Sequence, residues 1–138
     1  MKQVTPSLWV SNVGSFGDAN LLLANGIQLA VGCHGHANFP HTNALESCEF
    51  HIRSDGSNAD IFIKAIARLL SHAYTVATMC LTDQSGGRQE ASFLIACAYA
   101  EKLNTSFNAG LAWLQNAGRL PDAAPPQALI DQGRRIWP

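Results

Sequence analysis

The side chains whose types and spacing could do chemistry together lie in one stretch, Thr78-Met79-Cys80-Leu81-Thr82-Asp83-Gln84-Ser85-Gly86-Gly87-Arg88-Gln89-Glu90-Ala91-Ser92. It opens on apolar residues with strand character and passes through a polar loop around Gly86 and Gly87. It ends in the helix-like run Phe93-Leu94-Ile95-Ala96. Glycines tolerate positive φ, so a loop of this kind can turn successive backbone N–H groups toward an anion. The helix N-terminus that follows adds partial positive charge. Arg88 supplies a planar fork that matches two phosphate oxygens. The chemistry on offer is the holding of an oxyanion. The plainer alternative is a structural ion pair of Arg88 with Glu90 or Asp83.

The stretch resembles the active loop of the cysteine-dependent protein tyrosine and dual-specificity phosphatases. In that family a strand leads into His-Cys, five residues, Arg, and Ser or Thr, with the helix starting at the Arg. With Arg88 on that arginine, Thr82 falls on the nucleophilic cysteine, Leu81 on the histidine and Gln89 on the hydroxyl residue. The resemblance implies an α/β chain with a phosphotyrosine protein phosphatase-like fold, a central, mostly parallel sheet flanked by helices. It implies a single domain over residues 1–138 and a phosphate cradle made by Asp83, Gln84, Ser85, Gly86, Gly87 and Arg88. It also implies Asp55 as the general acid, since Asp55 lies on a strand-to-helix loop upstream of the active loop and a leaving oxygen needs a proton donor within reach. Read by themselves, Asp55 and Gly56 are also an ordinary turn pair.

What departs from the family is the nucleophile. A threonine hydroxyl has a far higher pKa than a thiol, and Leu81 leaves Thr82 without a neighbouring base. Cys80 lies two residues upstream, within the expected strand. Asp83 brings a carboxylate to the loop mouth, where it opposes a phosphate dianion. Two functions follow. One is a catalytically inactive pseudophosphatase that binds a phosphorylated residue, a small oxyanion or a protein partner, with Gly86, Gly87 and Arg88 on the anion and Asp55 at the rim. The other is a divergent phosphatase or related hydrolase with residual phosphate-ester hydrolysis and a non-cysteine nucleophile, such as Asp83 or a metal-activated group.

The chain has 138 residues, enough for one well-packed domain, and 47% of them are apolar. A net charge of −1 gives no reason to expect nucleic acid or an anionic membrane as partner. No apolar run reaches the length of a membrane span, and Met1 to Pro6 shows no signal-peptide core. Cys33, Cys48, Cys80 and Cys97 are widely spaced and read as reduced thiols in a cytoplasmic protein. Cys33, His34, His36 and His41 are ligand-type residues in one glycine-rich loop, but their spacing matches no standard zinc signature. No metal or cofactor is expected. If the sheet is parallel there, this loop shares a rim with the Arg88 loop.

The elements that must carry these residues are legible in outline. Val4 to Val13, with Leu8-Trp9-Val10, predicts an entry strand or hairpin, and Asp18 a cap for a short helix through Leu23 that ends at Asn25-Gly26. Ile27 to Val31 predicts a buried strand and Cys48 to Arg53 an alternating one. A helix beginning near Ala59 carries the apolar stripe Ile61, Phe62, Ala65, Ile66, Leu69 and Leu70, expected to pack on the sheet. Ala91 to Leu103 is apolar nearly all round, which predicts a central buried helix with Cys97 in the core. Thr105-Ser106 caps a further helix, and Gln127 to Ile136 forms the last.

Overall fold

Pro6 and Ser7 interrupt the first apolar run, and the chain turns back there. β1 (Lys2–Thr5) and β2 (Leu8–Asn12) pair as an antiparallel hairpin, as expected. The structure is a computed structural model, and it describes residues 2–12, 18–33, 44–72, 78–83, 90–116 and 124–138. β3 (Leu29–Gly32), β4 (Glu46–Glu49) and β5 (Met79–Asp83) complete a five-stranded sheet of order β1-β2-β5-β3-β4. Every pairing except the hairpin is parallel, giving the mostly parallel α/β sheet that the sequence implies. β5 pairs on both sides, and Met79, Cys80, Leu81 and Thr82 are all buried, the continuous run typical of a strand covered on both faces. Because β3 and β5 run the same way, the chain leaves β3 at Cys33 and β5 at Asp83 on one rim.

The sheet belongs to a unit formed by Met1–Ile52 and Ala73–Gly87. Its helix, α1 (Ala19–Ala24), starts where Asp18 Oδ1 accepts the Leu21 N–H at 3.1 Å, which satisfies one of the orphan donors of the first turn. Leu22 of α1 joins Ile27, Ala30, Leu45 and Cys80 in an apolar cluster with Trp9 packed against it.

A second unit, Arg53–His72 with Arg88–Pro138, is helical. It holds α2 (Asp60–Ser71), α3 (Glu90–Leu103), α4 (Phe107–Asn116) and α5 (Gln127–Ile136). α3 is its centre: residues Glu90 to Ala98 and Ala100 are buried, and α2, α4 and α5 pack around it. Cys97 lies in that core, as expected. Phe93 of α3 and Phe107 of α4 meet with ring centroids 5.8 Å apart, each fully buried ring worth about 1.5–3 kcal/mol. A Cβ on Gly110 would collide with the Ala96 carbonyl oxygen, so α4 approaches α3 more closely than any other residue type would permit. Ser106 Oγ caps α4 by accepting the Ala109 N–H at 3.1 Å.

Two expectations change. The alternating strand at Cys48 to Arg53 is instead β4 at Glu46–Glu49. Past β4 the chain still bonds beside the end of β3, with Phe50 N–H on the Gly32 carbonyl at 2.7 Å and Ile52 N–H on that of Cys33 at 3.2 Å, but it no longer forms a ladder. The second change concerns α2, whose buried face is Ile63, Ile66, Ala67 and Leu70 and meets α3. Ile61, Phe62, Ala65 and Leu69, four members of the expected stripe, are exposed, Ile61 to 81%. Apolar residues cover more than one side of this helix, so periodicity alone left two candidate faces. Polar pairs flank the face that is buried: Arg68 reaches Glu101 on α3 at 3.4 Å, and Asp60 meets Arg135 on α5 at 2.7 Å. Among the described residues, no helix is long and apolar enough to cross a membrane.

Candidate functional site

Thr82, which the resemblance sets at the nucleophile position, lies on β5. Thr82 is the penultimate residue of that strand, level with Ser11 of β2, and its side chain is fully buried. Its Oγ1 accepts the backbone N–H of Cys33, the residue just after β3, at 2.9 Å. A buried N–H left without a partner costs about 1–3 kcal/mol, so this hydroxyl clips the chain leaving β3 to the neighbouring strand. Cys80, two residues earlier, is buried in the same strand, with its Sγ 3.5 Å from Ser11 Oγ. Burial pushes its thiol up to about 11, which keeps it protonated and inert at neutral pH. Asp83 ends the strand, paired in register with Asn12. Gln84, Ser85, Gly86, Gly87 and Arg88, the rest of the expected cradle, lie outside the described residues, as do His34, His36 and His41. Cys33 is fully buried, and no disulfide joins it to Cys48, Cys80 or Cys97. Among the described residues, no group of His, Cys, Asp and Glu could hold a metal ion.

Asp55, the expected general acid, lies in the helical unit, on a turn that is hydrogen-bonded from several sides. Asn58 Oδ1 accepts the Arg53 N–H at 2.8 Å, and its Nδ2 donates back to the Arg53 carbonyl at 3.0 Å. Within that loop Asp55 Oδ1 accepts the Ser57 N–H at 2.9 Å, and Gly56 takes φ +77°. A Cβ on Gly56 would lie 2.7 Å from the Ala128 carbonyl oxygen of α5, so glycine is required by both dihedral and space. Gln132 of α5 is buried and locks the turn. Its Nε2 donates to the Asn58 carbonyl at 2.6 Å and to Asp60 Oδ1 at 3.2 Å, while its Oε1 accepts from Asn58 Nδ2 at 3.1 Å. Asp55 itself is exposed, and hydrogen bonds from Ser57 hold its carboxyl below the usual carboxylate range. These bonds make Asp55 part of the turn itself.

Motif reading singles out none of the next two groups for the site. Glu90, the first residue of α3, is 1% exposed, and its Oε1 accepts the Ser54 hydroxyl at 2.9 Å. Ser54 directly precedes Asp55, so this bond ties the acid-position turn to the start of the helix that follows Arg88. Glu90 Oε2 is buried and has no hydrogen-bond partner among the described residues. An acidic residue in a first helical turn is ordinary in sequence, because it complements the helix dipole, and so no signal marks it. Elsewhere in the unit, a cavity of about 410 Å³ is lined by residues including Lys64, Glu101, Ser106 and Trp137. It includes neither Asp55 nor Glu90.

No family model matches the sequence, and neither does any curated protein's sequence. Solved structures do match. Human DUSP28 superposes with a TM-score of 0.81 at 15% identity, covering 99% of this chain and 94% of that one. The human tyrosine phosphatase-like serine/threonine/tyrosine-interacting protein matches with a TM-score of 0.74 at 16% identity, over 98% of this chain and 93% of the other. TpbA of P. aeruginosa in complex with pTyr gives a TM-score of 0.68 at 14% identity, over 94% and 80%. With the sheet order above, these likenesses show that the chain has the fold of the dual-specificity and tyrosine phosphatases.

Proposed function

We propose that this chain is a catalytically inactive phosphatase-fold domain that binds a phosphorylated residue of a protein partner, or a small oxyanion. The observation that carries the reading is Thr82: the residue at the nucleophile position is a fully buried hydroxyl already engaged by the Cys33 N–H. It has neither the acidity of a thiol nor, among the described residues, a hydrogen-bonded base. Gly86, Gly87 and Arg88 would hold the anion through backbone N–H groups and a bidentate guanidinium. The phosphotyrosine bound by TpbA makes a phosphorylated side chain a reasonable ligand for the same fold.

Calorimetric titration with phosphate or tungstate tests the reading. Saturable binding is expected in the native chain, weakened about tenfold or more by Arg88→Ala, the loss of a charge-assisted bidentate contact. No aryl-phosphate turnover is expected in either protein. Absence of anion binding in the native chain would overturn the proposal, and native turnover would transfer it to a hydrolase with a non-cysteine nucleophile. Thr82→Cys then reports on the loop: gain of aryl-phosphate hydrolysis would mean that its shape still suits the chemistry.

A further inference from the structure

α2 buries one apolar face and exposes a second. Residues three and four apart share a side of a helix, so Ile61, Ala65 and Leu69 form one stripe. None of the three belongs to the buried set Ile63, Ile66, Ala67 and Leu70; Ile61 is 81% exposed and Leu69 38%. A single exposed apolar residue is ordinary, but three in register on a helix that is already docked by its other side make a surface. Lys64 lies three residues after Ile61 and Arg68 three after Ala65, so both cations border the same edge of the stripe.

The charges along that edge are uneven. Arg68 meets Glu101 at 3.4 Å, and the other Glu101 oxygen accepts the Trp137 indole N–H at 2.9 Å. Asp60, one turn before Lys64, is taken up by Arg135 and Gln132. Lys64 has no ion-pair partner among the described residues. It lines the cavity of about 410 Å³ together with Glu101, Asn104, Thr105, Ser106 and Trp137, so its surroundings are polar enough to receive a charged group. The stripe and its edge carry no acid, and two copies meeting through this face would offer each other only cations. A net charge of −1 gives the chain no overall attraction to an anionic membrane. A segment that is apolar on one side and acidic along its border complements both parts of the surface.

We propose that the exposed face of α2 docks an acidic amphipathic helix of a partner protein, with apolar residues on Ile61, Ala65 and Leu69 and a carboxylate beside Lys64. None of these residues belongs to the expected anion cradle, so the surface stands whether or not that cradle binds.

The test is fluorescence anisotropy with two labelled synthetic helical peptides that share leucines at i, i+3, i+4 and i+7 and carry either glutamates or lysines elsewhere. The native chain is expected to bind the glutamate peptide saturably, about tenfold or more tighter than the lysine peptide, and less tightly as salt rises. Ile61→Ser combined with Leu69→Ser should weaken that binding about tenfold or more, and Lys64→Glu should remove the preference between the peptides. All three positions are exposed, so the variants should keep the native circular dichroism; if the double variant does not fold, Lys64→Glu decides. No binding of the glutamate peptide, equal binding of both peptides by the native chain, or binding unchanged in the variants would overturn the inference. A native dimer in sedimentation that the double variant disperses would also overturn it, giving the face to a second copy. Flotation with phosphatidylserine vesicles that Lys64→Glu abolishes would give it to a membrane instead.

Discussion

Thr82 in the sheet unit and Glu90 in the helical unit are both polar and almost wholly buried, and they use that burial in opposite ways. Thr82 Oγ1 has its partner in the Cys33 amide; Glu90 has one oxygen met and one without a partner among the described residues. A buried polar group with its capacity used is a fastening: removing it costs stability. A buried charge with capacity to spare is costly until that capacity is met. The contrast separates a buried polar group whose capacity is used from one with capacity left among the described residues. Thr82 belongs to the first kind.

Substitution should break the contrast in a definite order. The largest loss of stability is expected at Gln132, the most heavily bonded of the buried polar side chains. Gln132→Leu removes its bonds to Asn58 and Asp60 together and leaves the Arg53 to Asn58 turn unpinned, for about 2–4 kcal/mol in chemical denaturation. Thr82→Val keeps the volume but leaves the Cys33 N–H without an acceptor, for about 1–3 kcal/mol, and Thr82→Ser should recover most of it. Glu90→Gln should fall within about 1 kcal/mol of the native chain, or above it, because it removes a buried charge and keeps the Ser54 bond. A loss as large as that of Thr82→Val would make Glu90 a fastening too and erase the distinction.

The smallest effect is one of pH. Hydrogen bonds from Ser57 depress the Asp55 carboxyl, and Arg135 followed by Gln132 depresses that of Asp60. A depressed carboxylate stabilises the fold above its unfolded pKa, about 3.9, and that contribution is lost as pH falls through the lower folded value. The melting temperature should therefore drop below about pH 4. Asp55→Asn should flatten part of the drop, and if it leaves the acid limb unchanged, the turn does not depend on that charge.

The order of elements could be read from the sequence because punctuation and pattern agreed. Pro6-Ser7 breaks the hairpin, Asp18 caps α1, and the unbroken apolar run after Ala91 announces a helix surrounded by others. The rotation of α2 could not be read, since its apolar residues cover two faces and the choice depends on packing against α3, which is distant in the chain. Of the candidate site, the turn role of Asp55 was visible in Asp55-Gly56, while the use of the Thr82 hydroxyl was not. It depends on an amide 49 positions away in the chain, brought alongside only when β3 and β5 pair. Glu90 was hidden for a different reason: one acid in a helix's first turn looks like any other until the burial of its second oxygen is known.

The most direct test is a phosphorus NMR spectrum of free phosphotyrosine held with a stoichiometric amount of the native chain at neutral pH. The expected result is a monoester resonance that shifts or broadens on addition of protein, with no inorganic phosphate signal growing over hours. A growing inorganic phosphate signal would show that the domain hydrolyses what it binds, and an unperturbed monoester resonance would show that it binds no phosphate at all.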